Sequence, residues 1–277
     1  IDMKRKKNHI FTYILLLFGA VLILIPFYLS IVSSLKSQPE LSRNFFGLPE
    51  GFYLENFRTI MGKGDFYPAL INSFEITAIC LILFVILLPM AAYPISRRMG
   101  TSKFYSFLYY YMLAGIFIPF QVKMIPIVKM MNSLGIANEF GLILLYIAGG
   151  TCEGIFLITG YLASVPEDME EAACIDGAST LHIFTRIMMP IMKPILSTIT
   201  IKNCLWIWND FMMPNMVLRV RADRTLPLFQ YAFQGEYSTN YPLVFASFVM
   251  SMIPMMIFYL IMQKHIIGGM MVGAVKG

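Results

Sequence analysis

Carboxylates are concentrated in one short stretch of this chain, where they could bind basic side chains. Five of the 16 acidic residues fall within ten positions: Glu167, Asp168, Glu170, Glu171 and Asp176. Ionised carboxylates accept charge-assisted hydrogen bonds from lysine and arginine, which are stronger than hydrogen bonds between neutral groups. The stretch lies between two long apolar runs. It is therefore either a docking segment for another protein or an amphipathic connector on a membrane surface.

Polar side chains also interrupt an apolar run later in the chain. They are Lys202, Asn203, Trp206, Trp208, Asn209 and Asp210. Ionisable groups at membrane depth cost at least about 2.5 kcal/mol, so they face protein or a water-filled cavity. In one interpretation Lys202 and Asp210 brace neighbouring helices or extend to the membrane surface. In the other, Trp206, Asn209 and Asp210 line a polar passage through the membrane.

Two more acids lie in apolar runs. Each is either paired within the helix bundle or set on the passage, and pairing is favoured for Glu75. Glu153 precedes Pro166 by about 13 residues, which is roughly 20 Å along a helix, so it should lie near the middle of a membrane. It is the better candidate for the passage.

The chain carries no grouping of residues that is typical of an enzyme. It has no Gly-rich phosphate loop, and no serine, histidine and acid share a neighbourhood. The four cysteines have no metal-ligand spacing and are not expected to form disulfides. We expect no catalytic activity, metal site or nucleic acid partner.

Composition predicts a membrane protein. Of the 277 residues, 58% are apolar and only 13% are charged. Apolar stretches of about 20 residues, long enough to cross a bilayer, occur at about 10–33, 68–94, 104–122, 139–162, 194–217 and 242–263. We therefore expect residues 1–277 to form a single all-α transmembrane domain with six helices.

The segment between the fourth and fifth predicted spans, residues 164–193, is called the acidic loop below. Pro166 followed by acids is typical of a helix start. Gly177 is expected to end this helix, and Ser179 or Thr180 to cap a second one. The acidic loop is thus predicted to be helix, glycine turn, helix.

Basic residues in short loops and flanks indicate the orientation, because they mark the cytoplasmic side. They are Lys4, Arg5, Lys6, Lys7, Arg97, Arg98, Lys103, Arg186, Lys193, Lys264 and Lys276. Both termini and the acidic loop are therefore expected in the cytoplasm.

One spacing within the acidic loop resembles a known signature. Glu171-Ala172-Ala173, Gly177, Ile187 and Met189-Pro190 resemble the EAA motif of permease subunits of bacterial ATP-binding-cassette (ABC) importers. Met189 stands where that pattern usually has leucine, a volume-conserving exchange. The resemblance implies a coupling helix that sits in a cleft of an ATPase subunit. Its contact residues would be Glu170, Glu171, Ala172, Ala173, Asp176 and Gly177.

Other motifs resemble the sugar-import branch of this permease family. They are Ile118-Pro119-Phe120-Gln121 with Pro126, Trp208-Asn209-Asp210-Phe211 with Pro214, Thr225-Leu226-Pro227-Leu228 with Gln234-Gly235, and residues 273–277. The C-terminal tail resembles that of the shorter, six-helix subunit in a maltose-type permease pair.

The resemblance implies a type I ABC importer permease fold, with several passes through the bacterial plasma membrane. Implied partners are a second homologous permease, two ABC ATPase subunits, an extracellular sugar-binding protein and membrane lipid. ATP and Mg²⁺ would bind to the ATPase subunits, with no cofactor in this chain. Sugar would pass Glu153, Trp206, Asn209 and Asp210 as the permease pair alternates between outward and inward openings.

Two alternatives stay open. An importer for another solute, such as a phosphorylated polyol, would need more fixed positive charge on the passage than Lys202 provides. A secondary transporter could use Glu153, Lys202 and Asp210 as an ion relay. It would need no ATPase, and it leaves the acidic loop unexplained.

Overall fold

The computed structural model describes residues 2–231, 233 and 240–274, and the side chains of those between 10 and 263. Every regular element in this described part is helical. The α-helices are α1 (Asp2–Ser34), α2 (Gln38–Arg43), α3 (Glu55–Met61), α4 (Phe66–Arg98), α5 (Lys103–Ile116), α6 (Phe120–Ser133), α7 (Glu139–Leu162), α8 (Asp168–Ile175), α9 (Thr180–His182), α10 (Met189–Asn209), α11 (Met212–Val217), α12 (Leu226–Tyr231) and α13 (Tyr241–Ala274). A π-helical turn spans Ile183–Met188, and a 3₁₀ turn spans Arg221–Asp223.

Several residues used in the sequence predictions lie outside this description. They are Gln234, Gly235 and residues 275–277, together with the side chains of Lys4, Arg5, Lys6, Lys7 and Lys264. The resemblances and orientation marks at these positions stay predictions.

The chain divides into two compact units. The first comprises Ile1–Tyr67 and Phe229–Pro254, and the second Pro68–Leu228 and Met255–Gly277. The single domain over 1–277 stays a prediction. In the first unit, an apolar 18-residue segment within the stretch Ile10–Ser34 of α1 has only 6% of its residues buried. This helix therefore offers its apolar side chains to a surrounding apolar medium or partner.

The core of the second unit is built around α7, which packs against α5, α10 and α11. A buried stripe at four-residue spacing runs along α4: Ile76, Cys80, Phe84, Leu88 and Ala92. Residues spaced by four lie on one face of a helix. Two glycines of α7 meet this stripe, because a Cβ on Gly150 would lie 2.3 Å from the Phe84 ring, and one on Gly154 would lie 2.5 Å from Leu88.

The fourth predicted span coincides with a helix. α7 runs from Glu139 to Leu162, and the Asn138 side chain caps its first turn by accepting a hydrogen bond from Gly141 N at 3.1 Å. Asparagine at this position satisfies a backbone N–H that has no partner within the helix.

The third predicted span, 104–122, requires a correction. α5 ends at Ile116, and the chain bends by 103° before α6 begins at Phe120. Pro119 lies at the bend, where it lacks an N–H for a continuing helix and disfavours helical backbone at the residue before it. Apolar residues continue through the bend, so hydropathy alone did not reveal it.

The fifth predicted span, 194–217, is also corrected. α10 starts earlier, at Met189, and ends at Asn209, and α11 follows after Asp210 and Phe211. Asp210 has extended backbone with ψ of 125°, and its Oδ1 accepts a hydrogen bond from Met212 N at 3.0 Å. An aspartate side chain that binds nearby backbone competes with the helical bond pattern, which explains the interruption.

Within the described residues, four helices are long and apolar enough to cross a membrane: Ile10–Ser34, Phe66–Arg98, Glu139–Leu162 and Tyr241–Gln263. The bent pair Lys103–Ile116 and Phe120–Ser133 makes a fifth if it is counted as one span. The 21 residues of α10 include Lys193 and Lys202, which make this helix more polar. Each of the six predicted spans thus corresponds to a helix or a pair of helices. Six membrane crossings would require α10 to be one of them, despite its two lysines.

The contact of Gly150 with Phe84 gives a prediction about stability. Gly150→Ala would force the ring or the helix to move, and overpacking of this kind costs about 1–3 kcal/mol. Its melting temperature in detergent, followed by size-exclusion chromatography after heating, should fall below that of the unmodified chain.

Gly160 provides the matched control on the same helix, because no atom lies within 4 Å of its added Cβ. Gly160→Ala should leave the melting temperature unchanged or raise it slightly, since alanine is the better helix former. Equal melting temperatures for the two variants would show that the glycine contact does not set the α4–α7 distance.

Candidate functional site

The acidic loop has the predicted order of helix, glycine turn and helix. α8 covers Asp168–Ile175, and Gly177 follows with a φ of +80°. Gly177 N donates to Cys174 O at 3.0 Å, and Ala178 N donates to Ala173 O at 2.9 Å. These bonds close the helix end through a residue with left-handed backbone, a conformation that glycine adopts without steric cost. The sequence prediction that Gly177 ends the helix is confirmed.

The second half of the acidic loop begins at Ser179. Its hydroxyl accepts a hydrogen bond from His182 N at 3.3 Å, so Ser179 rather than Thr180 is the cap. The π-helical turn Ile183–Met188 then joins α9 to α10. Pro190, whose nitrogen cannot donate a hydrogen bond, follows two residues after the end of this turn. Wide turns of this kind often occur at functional sites.

Arg97, at the end of α4, holds the acidic loop through Glu170. Its Nε and Nη2 both lie 2.7 Å from Glu170 Oε1, and the two side chains are each 13% exposed. The Tyr93 hydroxyl donates to the other oxygen of the same carboxylate. Arg97 also donates to the backbone oxygens of Leu162 at 3.1 Å and Val165 at 3.2 Å. One guanidinium therefore ties α8 to the ends of both α4 and α7.

The other predicted coupling residues lie on the outside of the acidic loop. Glu171, Ala172, Asp176 and Gly177 are exposed, and Ala173 is half-buried. Large apolar side chains accompany them, since Ile175 is 87% exposed and Leu181 is 71% exposed. A groove beside Gly177 is lined by Ala173, Asp176, Gly177, Ala178, Ser179, His182 and Ile187. The loop thus presents acids and apolar side chains on one accessible surface, while Glu170 points inward to Arg97.

A second cluster joins α7 to α10. Glu153 and Lys202 form an ion pair, with 40% of the Glu153 side chain and 46% of the Lys202 side chain exposed. Each charge thus has a partner and still faces open space. This geometry contains elements of both sequence interpretations, because the pair braces two helices and also lies on an accessible face.

Asp210 lies at the break between α10 and α11. Its Oδ2 accepts a hydrogen bond from the Tyr146 hydroxyl of α7 at 2.9 Å. The Tyr146 ring meets Trp206 edge-on, with centroids 5.4 Å apart and planes at 84°. Trp206 also lies over Gly149, where an added Cβ would come within 3.1 Å of the indole. Tyr146, Trp206 and Asp210 therefore form one packed group between α7 and α10.

Asn209 is exposed at the end of α10. Its Nδ2 donates to Leu205 O of the same helix at 2.8 Å. Lys202, Leu205 and Asn209 follow one another at spacings of three and four residues, so they share a face of α10. The four predicted passage residues thus include three exposed or half-buried polar groups and one indole on adjoining helices.

Three residues of these sites were missed or used otherwise in the sequence analysis. Arg97 served only as an orientation mark, and Tyr93 and Tyr146 were not singled out. The tyrosine hydroxyls are polar groups within apolar runs, and Tyr146 lies seven residues before Glu153, on the same face of a helix. That spacing is a sequence signal for Tyr146. Arg97 and Glu170 are 73 positions apart, so local spacing could not pair them.

Comparisons with known proteins all match this chain to membrane components of transport systems. A family model described as binding-protein-dependent transport system inner membrane component matches residues 90–271. The multiple sugar-binding transport system permease protein MsmG of Streptococcus mutans is 42% identical over 277 residues, covering 99% of both chains. The melibiose/raffinose/stachyose import permease protein MelC of Bacillus subtilis is 33% identical over 255 residues, covering 91% of both.

A solved structure supports the fold. The chain matches a subunit of a bacterial ABC transporter involved in alginate import with a TM-score of 0.81 and 23% identity, covering 94% of this chain and 96% of that one. The all-α permease fold expected from the sequence is thereby confirmed.

The contacts of Arg97 generate a prediction about the rigidity of α8. Arg97→Lys keeps the charge but cannot reproduce a planar fork that binds one carboxylate and two carbonyls. Loss of hydrogen bonds to a charged group should speed hydrogen exchange at the amides of α8 by about tenfold. Mass spectrometry of deuterium uptake in detergent would measure this.

Arg98→Lys is the control, since the Arg98 guanidinium lies over the Tyr105 ring, 5.7 Å from its centroid. It should leave exchange in α8 unchanged. If Arg97→Lys also leaves α8 unchanged, the fold of the loop does not depend on the guanidinium contacts.

Proposed function

The chain belongs to the family of binding-protein-dependent transport system inner membrane components, and we propose that it is the permease subunit of an ATP-driven sugar importer. The observation that carries this proposal is the outward face of α8, where acids and apolar side chains stand on a helix fixed by Gly177 and Arg97. A rigid, exposed surface of this kind suits docking to another protein. Relatives over nearly the full length carry names that refer to sugars.

In this proposal the acidic loop couples the permease to an ATPase. Glu171 and Asp176 offer carboxylates to basic side chains, and Ile175 offers apolar surface for a cleft. Ala172 and Ala173 allow close approach because their side chains are small. Glu170 belongs to the predicted coupling residues. Because it is bonded to Arg97, its role in this proposal is to hold α8 in place. The ATPase subunits, not this chain, bind ATP and Mg²⁺.

The sugar path runs along the face shared by α7 and α10. Glu153 and Asn209 offer carboxylate and amide groups to sugar hydroxyls, and the Trp206 indole offers a flat apolar surface to a sugar ring. Asp210 stands where α10 is interrupted. Interrupted helices at solute sites are a common feature of transporters. The hydrogen bond from the Tyr146 hydroxyl holds the Asp210 carboxylate beside the path.

The complete importer contains two different permeases, two ATPase subunits and an extracellular sugar-binding protein. The chain crosses the bacterial plasma membrane several times and keeps both termini and the acidic loop in the cytoplasm. ATP binding closes the ATPase pair and carries the acidic loops inward, and the permeases turn to open the path outward. Each nucleotide state must bind one arrangement more tightly than the other for this coupling to work.

The charges along the proposed path argue for a neutral sugar over a phosphorylated solute. Lys202, the cation between α7 and α10, is already paired with Glu153. A phosphate group would have to displace that carboxylate, and Asp210 would repel it. A secondary transporter using the same acids would have no use for an acidic loop that is fixed in place and exposed.

Co-purification tests the proposal directly. The chain is extracted from its native membrane in mild detergent, the proteins that accompany it are identified by mass spectrometry, and the eluate is assayed for ATP hydrolysis. We expect an ABC ATPase, a second permease of the same family and ATPase activity. A chain that purifies alone and takes up solute along an ion gradient without ATP would contradict the importer.

The role of the acidic loop predicts the effect of a charge reversal. Glu171→Lys should leave membrane insertion and the amount of chain unchanged, because this side chain is exposed. It should abolish the rise in ATP hydrolysis that sugar and its binding protein produce, since a cation would face basic side chains on the ATPase.

Glu55→Lys is the matched control, as Glu55 is an exposed acid on α3 that pairs only loosely with Arg58 at 3.6 Å. ATP hydrolysis in this variant should remain stimulated. Undiminished transport by Glu171→Lys would refute the assignment of the coupling surface.

A further inference from the structure

The segment that follows α2, residues 44–54, exposes an unusual amount of apolar surface. Phe46 is 72% exposed, Leu48 is 71% exposed and Phe52 is 79% exposed. Phe45, Tyr53 and Leu54 add to this surface, and Glu50 is the one charged residue in the segment. We call residues 44–54 the apolar loop.

The apolar loop has a defined structure that depends on a buried lysine. Lys36 is fully buried. Its Nζ donates to Asn44 O at 2.6 Å, Phe45 O at 3.3 Å and Gly47 O at 2.6 Å. The Tyr28 hydroxyl donates to the remaining carbonyl in this run, Phe46 O, at 3.0 Å. Four consecutive carbonyls of irregular backbone are therefore satisfied by side chains of the protein.

Further bonds hold the loop at its other end. Glu40 is buried, and its Oε1 accepts a hydrogen bond from Glu50 N at 2.7 Å. Tyr53 N donates to Leu35 O at 3.0 Å. Irregular backbone in contact with water does not need this internal satisfaction, whereas backbone in contact with lipid does.

The bond from Tyr28 fixes the depth of the loop. Tyr28 lies six residues before the end of α1 at Ser34, which is about 9 Å along the helix axis. The apolar stretch Ile10–Ser34 has 25 residues, and a hydrocarbon core spans about 20 residues of helix. A core centred on this stretch ends near residue 32, so the backbone of Tyr28 lies about 6 Å inside its boundary, and the Phe46 carbonyl is within the length of the tyrosine side chain from that level.

From this depth, the apolar side chains and the satisfied carbonyls, we infer that the apolar loop is embedded in the lipid bilayer at the end of α1. Its surface continues the exposed apolar surface of α1, where Phe27 and Ile31 are half exposed. Aromatic side chains are enriched at this level of membranes because they suit the boundary between headgroups and acyl chains. The ligand is the acyl and glycerol region of lipid, and Lys36 is the residue that makes the insertion possible.

Brominated lipid tests the inference by quenching nearby indoles. Phe52→Trp and Phe46→Trp are each introduced into the full chain, purified with its partners and placed in vesicles of phosphatidylcholine. Emission from Trp206 and Trp208 is removed by subtracting the unmodified protein. Exchange for acyl-brominated phosphatidylcholine should remove about half of the added emission in both variants, as expected for a side chain 5–10 Å deep in the interface.

Thr59→Trp is the matched control, because Thr59 is exposed on α3 beside the charged pair Glu55 and Arg58. Its added emission should be insensitive to bromine. Emission from both loop variants that is insensitive to bromine and quenched by aqueous iodide would overturn the inference in favour of a loop in water. Emission insensitive to both quenchers would overturn it in favour of a protein surface that covers the loop.

Discussion

In a bilayer, every backbone polar group and every charge must find its partner within the protein, and this constraint organises the described structure. It explains why the apolar stretches are helices. It also explains why side chains satisfy the backbone at two of the departures from a helix. Asp210 binds the start of α11 where α10 stops, and Lys36 gathers the carbonyls of the apolar loop. Glu153 and Lys202 neutralise each other between α7 and α10. The polar residues in this apolar chain are thus few, and most of them have an identifiable structural role.

α7 connects the two candidate sites physically. Its middle carries Glu153 and packs through Gly149 against Trp206, and its last carbonyl is bound by the same Arg97 that holds α8. Because Arg97 belongs to α4, movement of the acidic loop relative to α4 must break its bonds to Glu170. Bonds to a guanidinium with 13% exposure are expensive to break. The arrangement favours movement of α4, α7 and α8 as one body, with the face of α10 following through the ion pair and the Tyr146 group.

Local sequence features predicted local structure well, but they did not predict long-range contacts. Gly177 ended its helix as expected, because a glycine after acids and before a serine cap leaves few alternatives. The predicted start of the fourth span, at about 139, agrees with α7, which begins at Glu139. The bend at Pro119 was hidden because apolar residues continue on both sides of it. The partner of Glu170 could not be predicted, because the sequence gives the charge of a carboxylate in an acidic cluster but not where its side chain points. Only the fold brings Arg97 beside it.

The π-helical turn at Ile183–Met188 sets the helical phase of α10 relative to the acidic loop. A π turn holds one more residue than an α turn, and one residue corresponds to roughly 100° of rotation. Without the extra residue, the acidic loop and α10 would meet at a different rotation about the helix axis, although every local sequence motif would be unchanged. The number of residues from Gly177 to Asp210 therefore determines how the two sites are rotated relative to each other. Insertions or deletions of a single residue there are far less tolerable than substitutions, because they would rotate one site out of register with the other.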